Sequence, residues 1–99
     1  MILIIELHDW HEECLHDLEP LFPKHWVNCS YGNDAAPSFR FNGWQIWIAE
    51  KNPQLRECGI DSKRFHIGEY REGCNSVFIT NDWGKAQNFV NNCLAPWIN

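Results

Sequence analysis

Asn42-Gly43 lies between two runs, Ser38–Phe41 and Trp44–Ile48, that each alternate apolar and polar side chains. Asn-Gly accepts positive φ at both central turn positions and so favours the tight type I′ hairpin. A two-residue loop then pairs Phe41 with Trp44, Phe39 with Ile46 and Pro37 with Ile48. That register puts Phe39, Phe41, Trp44, Ile46 and Ile48 on one face, with Ser38, Arg40, Gln45 and Trp47 on the other. A hairpin alone is marginally stable in water, so its apolar face requires a covering layer from elsewhere in the chain.

The flanking sequence offers that layer. Met1–Leu7 is β-branched and apolar and reads as a buried strand. Asp9 with Glu12 fits a capping box for a helix over about Trp10–Glu19, stopped by Pro20 and Pro23. Trp10, Cys14, Leu15 and Leu18 share its apolar side. His25–Tyr31 reads as either a short edge strand or a packed loop. Asn52-Pro53 fits the N-cap and first position of one helical turn over Pro53–Cys58, with Gly59 past its end. Arg64–Tyr70 places Phe65 and Ile67 on one side, with His66 and Tyr70 on the other, and Glu72–Asn75 carries turn chemistry. Ser76–Thr80, apolar on both faces, predicts a central strand. Asp82 can cap a last helix over about Trp83–Leu94. Its apolar side is Trp83, Ala86, Phe89, Val90, Cys93 and Leu94, and its outer side Lys85, Asn88, Asn91 and Asn92.

This order predicts an α+β fold: a two-layer domain with a mostly antiparallel sheet of 4–5 strands in β-α-β-β-β-β-α order, helices on one face. Its 99 residues make one compact domain, 1–99. The five cysteines are odd in number and form no C-x-x-C pair, which favours reduced packing residues over a disulfide scaffold. The apolar start is too short for a secretion signal, and no run approaches the roughly 18 apolar residues of a membrane span. A cytoplasmic location is the resulting expectation.

Charge is unevenly placed. The net charge is −5. Glu6, Asp9, Glu12, Glu13, Asp17 and Glu19 all fall before Lys24, with no Lys or Arg among them. The remaining residues carry eight basic and seven acidic side chains. A basic footprint for nucleic acid is absent, so direct binding of DNA or RNA is not expected. An unrelieved acidic run instead suits a basic protein surface, which it would steer and engage in place of phosphates. Trp47, opposite the apolar face and beside Arg40, adds an aromatic of the kind enriched at interface hot spots.

The expected function is therefore a non-enzymatic inhibitor or binding protein. Asp9, Glu12, Glu13, Asp17, Glu19, Arg40 and Trp47 would contact a basic or nucleic-acid-handling partner such as a nuclease, a CRISPR effector or a toxin. In size, charge and layout the chain is similar to phage anti-defence proteins, including anti-CRISPR proteins, and to immunity proteins that neutralise toxins. Neither a cofactor nor catalytic residues are expected.

Two other readings are compatible with the residues. His8, Glu12 and His16, spaced i, i+4, i+8 with His11 and Cys14 nearby, offer zinc or nickel ligands for a small metal-dependent or Cys/His enzyme. No H-E-x-x-H and no second ligand cluster completes a set. The third reading is a structural or ligand-binding domain that self-associates through a sheet edge or Trp47.

Overall fold

The computed structural model describes residues 14–30, 36–56, 59–71 and 76–96, excepting the side chain of Glu19. Five antiparallel strands lie side by side in chain order: β1 (Val27–Asn28), β2 (Ser38–Phe41), β3 (Trp44–Ile48), β4 (Phe65–Glu69) and β5 (Ser76–Thr80). The helix α1 (Trp83–Asn92) packs against β4 and β5. This is the expected two-layer α+β architecture. The strand expected at Met1–Leu7, the turn at Glu72–Asn75 and Tyr31 lie outside the described residues.

The hairpin forms in the register its alternation dictates. Phe41 faces Trp44 and Phe39 faces Ile46. The N–H of Ile48 donates to the carbonyl of Pro37 at 3.0 Å. Asn42 (φ 55°) and Gly43 (φ 82°) both take left-handed backbone, as a type I′ turn requires. The turn also anchors the helix. Asn42 Nδ2 donates to the carbonyls of Val90 (2.8 Å) and Asn91 (3.2 Å), two acceptors near the C-terminal end of α1. The carbonyl of Asn42 in turn accepts from the N–H of Ala95 at 2.9 Å. A helix end leaves carbonyls without intrahelical donors, and one turn residue serves both elements.

Asn42→Ala is expected to cost about 2 kcal/mol, part from left-handed backbone and part from the lost donor. Asn42→Gly keeps the backbone freedom and should cost about 1 kcal/mol. Urea denaturation of both variants measures the split, and an Asn42→Gly variant as stable as the natural sequence would rule out the helix-anchoring contribution.

The core lies between the inner sheet face and α1. Phe39, Ile46, Ile48, Phe65 and Ile67 are buried from the strands, and Ala86 and Val90 from the helix. Leu15, Leu18, Phe22 and Trp26 enter the same cluster from the preceding segment. Phe22 is its hinge, edge-on to Phe39 at 4.6 Å and stacked on Trp83 at 5.9 Å. Aromatic pairs in these geometries add to the burial of their area. The indole N–H of Trp26 donates to Asn91 Oδ1, and that of Trp44 to the carbonyl of Cys93.

Several expectations need correction. Ser76–Thr80 is not central: β5 neighbours only β4 among the described strands. A register irregularity at Ile67/Gly68 sets Gly68 opposite Ser76. Val77 (56%) and Ile79 (46%) stay exposed while Phe78 stacks on Phe89 at 4.8 Å. An apolar run on both faces signals a central strand only when both faces are covered. The first helix ends earlier than Glu19: Cys14 and Leu15 are helical, 16–18 form a turn, and Glu19–Leu21 is a 3₁₀ turn. Pro53–Leu55 is likewise a 3₁₀ turn ending at Arg56 rather than Cys58, with Asn52 Oδ1 accepting from the N–H of Gln54. On α1, Asp82 caps as expected, accepting from the N–H of Lys85. The helix stops at Asn92, and Cys93 and Leu94 are exposed. Asn91, expected outside, is partly buried and accepts from Trp26, with His25 Nε2 also within 2.9 Å.

Candidate functional site

Alternation along β2, β3 and β4 sends every second side chain to the face away from the core. The register aligns Ser38, Trp47, His66 and Ile79 in one row across four strands. A neighbouring row runs through Val27, Arg40, Gln45 and Gly68. Trp47 and His66 are half-buried, and Arg40, Val27 and Ile79 are exposed. The Arg40 guanidinium lies 5.1 Å from the centre of the Tyr70 ring, a cation–π pairing that leaves a planar cation at the surface. His66 Nε2 lies 2.8 Å from the carbonyl of Lys63, which fixes the ring beside Trp47. Arg40 and Trp47 thus share one outer face, on adjacent rows.

Ser38 belongs to the same face yet is fully buried. Its main-chain N–H donates to Ser30 Oγ at 2.8 Å, and its hydroxyl accepts from Gln45 Nε2 at 3.0 Å. Cys29 Sγ stands 3.5 Å from that hydroxyl. The β1 end of the outer face is therefore closed by a polar network. Exposed apolar groups lie on both outermost strands, Val27 on β1 and Val77 and Ile79 on β5.

The acidic segment has a different fate at the one carboxylate whose contacts are described. Arg64 grips Asp17 in a bidentate pair, Nη2 to Oδ1 at 2.6 Å and Nη1 to Oδ2 at 2.8 Å. The Arg64 side chain is only 7% exposed and that of Asp17 30%. Arg64 also donates through Nη2 to the carbonyl of Cys14 (2.7 Å) and through Nε to that of Ala49 (3.0 Å). The fork of the guanidinium suits such parallel bonds. The hydrogen bond from Arg64, reinforced by its charge, holds the Asp17 carboxyl below its ordinary pKa against the opposing effect of burial. Asp17, expected at a partner surface, joins the segment around Cys14 to the sheet at Arg64. Arg64 was not singled out by the sequence. The one signal for it was that an acidic run lacking Lys or Arg must find any internal counter-charge elsewhere in the chain.

Asp9, Glu12, Glu13 and His8 lie outside the described residues, as does the side chain of Glu19. His16 is exposed. Among the described residues no three His, Cys, Asp or Glu side chains converge as a metal site. Cys14 is buried with Sγ donating to Glu50 Oε2 at 3.4 Å, whereas Cys93 is exposed. No helix among the described residues is long and apolar enough to cross a membrane. The outer face joins an aromatic, a planar cation and aliphatic groups on one sheet.

Comparison with known proteins adds no relative, since no family model, curated protein or solved structure matches the chain.

Proposed function

We propose that this protein is a non-enzymatic binding protein that occupies a basic surface of a protein partner, in the manner of small acidic inhibitors. Phage anti-defence proteins, such as anti-CRISPR proteins, and toxin-immunity proteins are the classes this reading points to. The observation that carries it is Trp47, half-buried on the sheet face opposite the core, in register with His66 and Ile79 and one row from Arg40. Trp and Arg on a rigid support lose little conformational freedom on binding and dominate interface energetics. The chemistry of the partner follows from charge. Of the carboxylates expected at the contact, Asp9, Glu12, Glu13 and Glu19 remain candidates, while Asp17 supports the fold through Arg64. With a net charge of −5, the protein is steered toward a basic surface such as the nucleic-acid groove of a nuclease.

The test is affinity capture from the source cells, followed by titration of the purified pair. The expected partner has a basic contact surface. Glu12→Lys with Glu13→Lys should weaken the complex at least about tenfold at low salt, and less at high salt. Trp47→Ala should weaken it by about 2 kcal/mol, some thirtyfold, with an unchanged circular dichroism spectrum. An affinity indifferent to both changes would overturn the proposal.

A further inference from the structure

A cleft of about 460 Å³ opens beside the 3₁₀ turn Pro53–Leu55, at the sheet end where β4 begins. Its lining includes Lys51, Arg56, Lys63 and Arg64, four of the chain's eight Lys and Arg residues, against one carboxylate, Asp61. The concentration of cations is notable in a chain of net charge −5. Arg64 is already satisfied by Asp17 at its back. Lys51, Arg56 and Lys63 make no ion pair with any described residue.

Arg56 is fixed in place rather than loose. Its Nε donates to the carbonyl of Glu50 at 2.7 Å, Nη1 to that of Ser62 at 2.6 Å and Nη2 to that of Lys51 at 3.1 Å. Nη1 also approaches Asn81 Oδ1 at 3.5 Å. These bonds tie two backbone segments, Glu50–Lys51 and Ser62, around the guanidinium but bring no negative charge to it. Partial burial and the nearby charge of Arg64 both lower the pKa of Arg56.

Pro53 and the 60%-exposed Ile60 add apolar wall to the same cleft. The volume falls within the range of small-molecule sites and far exceeds what a bare tetrahedral anion fills. From Arg56, fixed and without an ion-pair partner among the described residues, the two flanking lysines and the adjoining apolar wall, we infer that this cleft binds a small organic phosphate monoester. The phosphate sits among Lys51, Arg56 and Lys63, and the organic body lies against Pro53 and Ile60. Lys51 and Lys63 supply mobile charge to the oxyanion, while Arg56 supplies a positive potential already held in position.

The probes are phenyl phosphate, inorganic phosphate and phenol, each titrated into the ¹⁵N-labelled full chain. Phenyl phosphate should give saturable shifts confined to the amides around Lys51, Arg56 and Ser62–Arg64, and should bind several-fold tighter than inorganic phosphate. Phenol should cause no comparable shifts. Lys51→Ala and Lys63→Ala should each weaken phenyl phosphate roughly three- to tenfold. Lys85→Ala, on α1 and away from the cleft lining, should leave it unchanged. Shifts that do not saturate, that map elsewhere or that survive both lysine changes would overturn the assignment. Equal affinity for inorganic and phenyl phosphate would overturn the organic part of it. Both lysines are exposed, so the variants are expected to fold, and the unperturbed amide spectrum verifies it.

Discussion

Replacing Arg64 by Met is expected to destabilise the protein by about 3 kcal/mol, because the apolar stem is kept while the buried charge is removed. The carboxylate of Asp17 and the carbonyls of Cys14 and Ala49 would each lose a donor. Such groups cost more unpaired than the pair contributes when intact. Asp17→Asn retains shape and should cost less, about 1–2 kcal/mol. A double-mutant cycle in urea reads the coupling, and additive losses would refute the pairing.

The same pair sets an acid response. The pKa of Asp17 is lowered from its ordinary 3.8 by Arg64. Its stabilisation is therefore fully present above about pH 4 and declines as pH falls through the lowered value in the folded state. Denaturation midpoints measured from pH 7 to pH 2 should fall more steeply for the natural sequence than for Asp17→Asn. Parallel profiles would remove this carboxylate from the acid response.

Phe39→Ala is expected to cost about 3–5 kcal/mol. Phe39 is 1% exposed and meets Phe22 edge-on at 4.6 Å. Its loss opens a cavity between the hinge of the core and the centre of the sheet, where neighbouring strands cannot collapse without breaking register. The next residue provides the control. Arg40 points to the opposite face and is exposed, so Arg40→Ala should change stability by less than about 1 kcal/mol. Comparable losses at the two positions would mean that the face assignment of β2 is wrong. The contrast also bears on function, since Arg40 belongs to the surface proposed to meet a partner.

Local chemistry made the centre of the fold readable. Asn42-Gly43 fixes the turn, the turn fixes the register, and the period of two then assigns each side chain of Phe39–Ile48 to a face. Asp82 and Asn52 were readable as caps because a short polar side chain before a helical turn has one obvious use. The 3₁₀ geometry and early stop after Pro53 were not, since terminal turns respond to what surrounds them. The position of β5 at the edge of the described strands was hidden for a related reason: apolar content on both faces records composition, and sheet order decides whether both faces are covered.

The candidate surface was legible at Trp47 and Arg40, which period-two alternation sends away from the core. The pairing of Asp17 with Arg64 was hidden because nothing local distinguishes a carboxylate that meets solvent from one that meets an arginine far along the chain. Arg56 was equally opaque, since its bonds go to backbone carbonyls that become neighbours only when the segment Glu50–Lys63 closes around it.

By itself the sequence determined the hairpin, its inner and outer faces and the α+β class, because turn chemistry and alternation act over a few bonds. Only the tertiary structure decided which charges find one another: Arg64 with Asp17 forty-seven residues away, and four cations around one cleft. Electrostatic pairing depends on distance in space, and that distance is set by packing rather than by position along the chain.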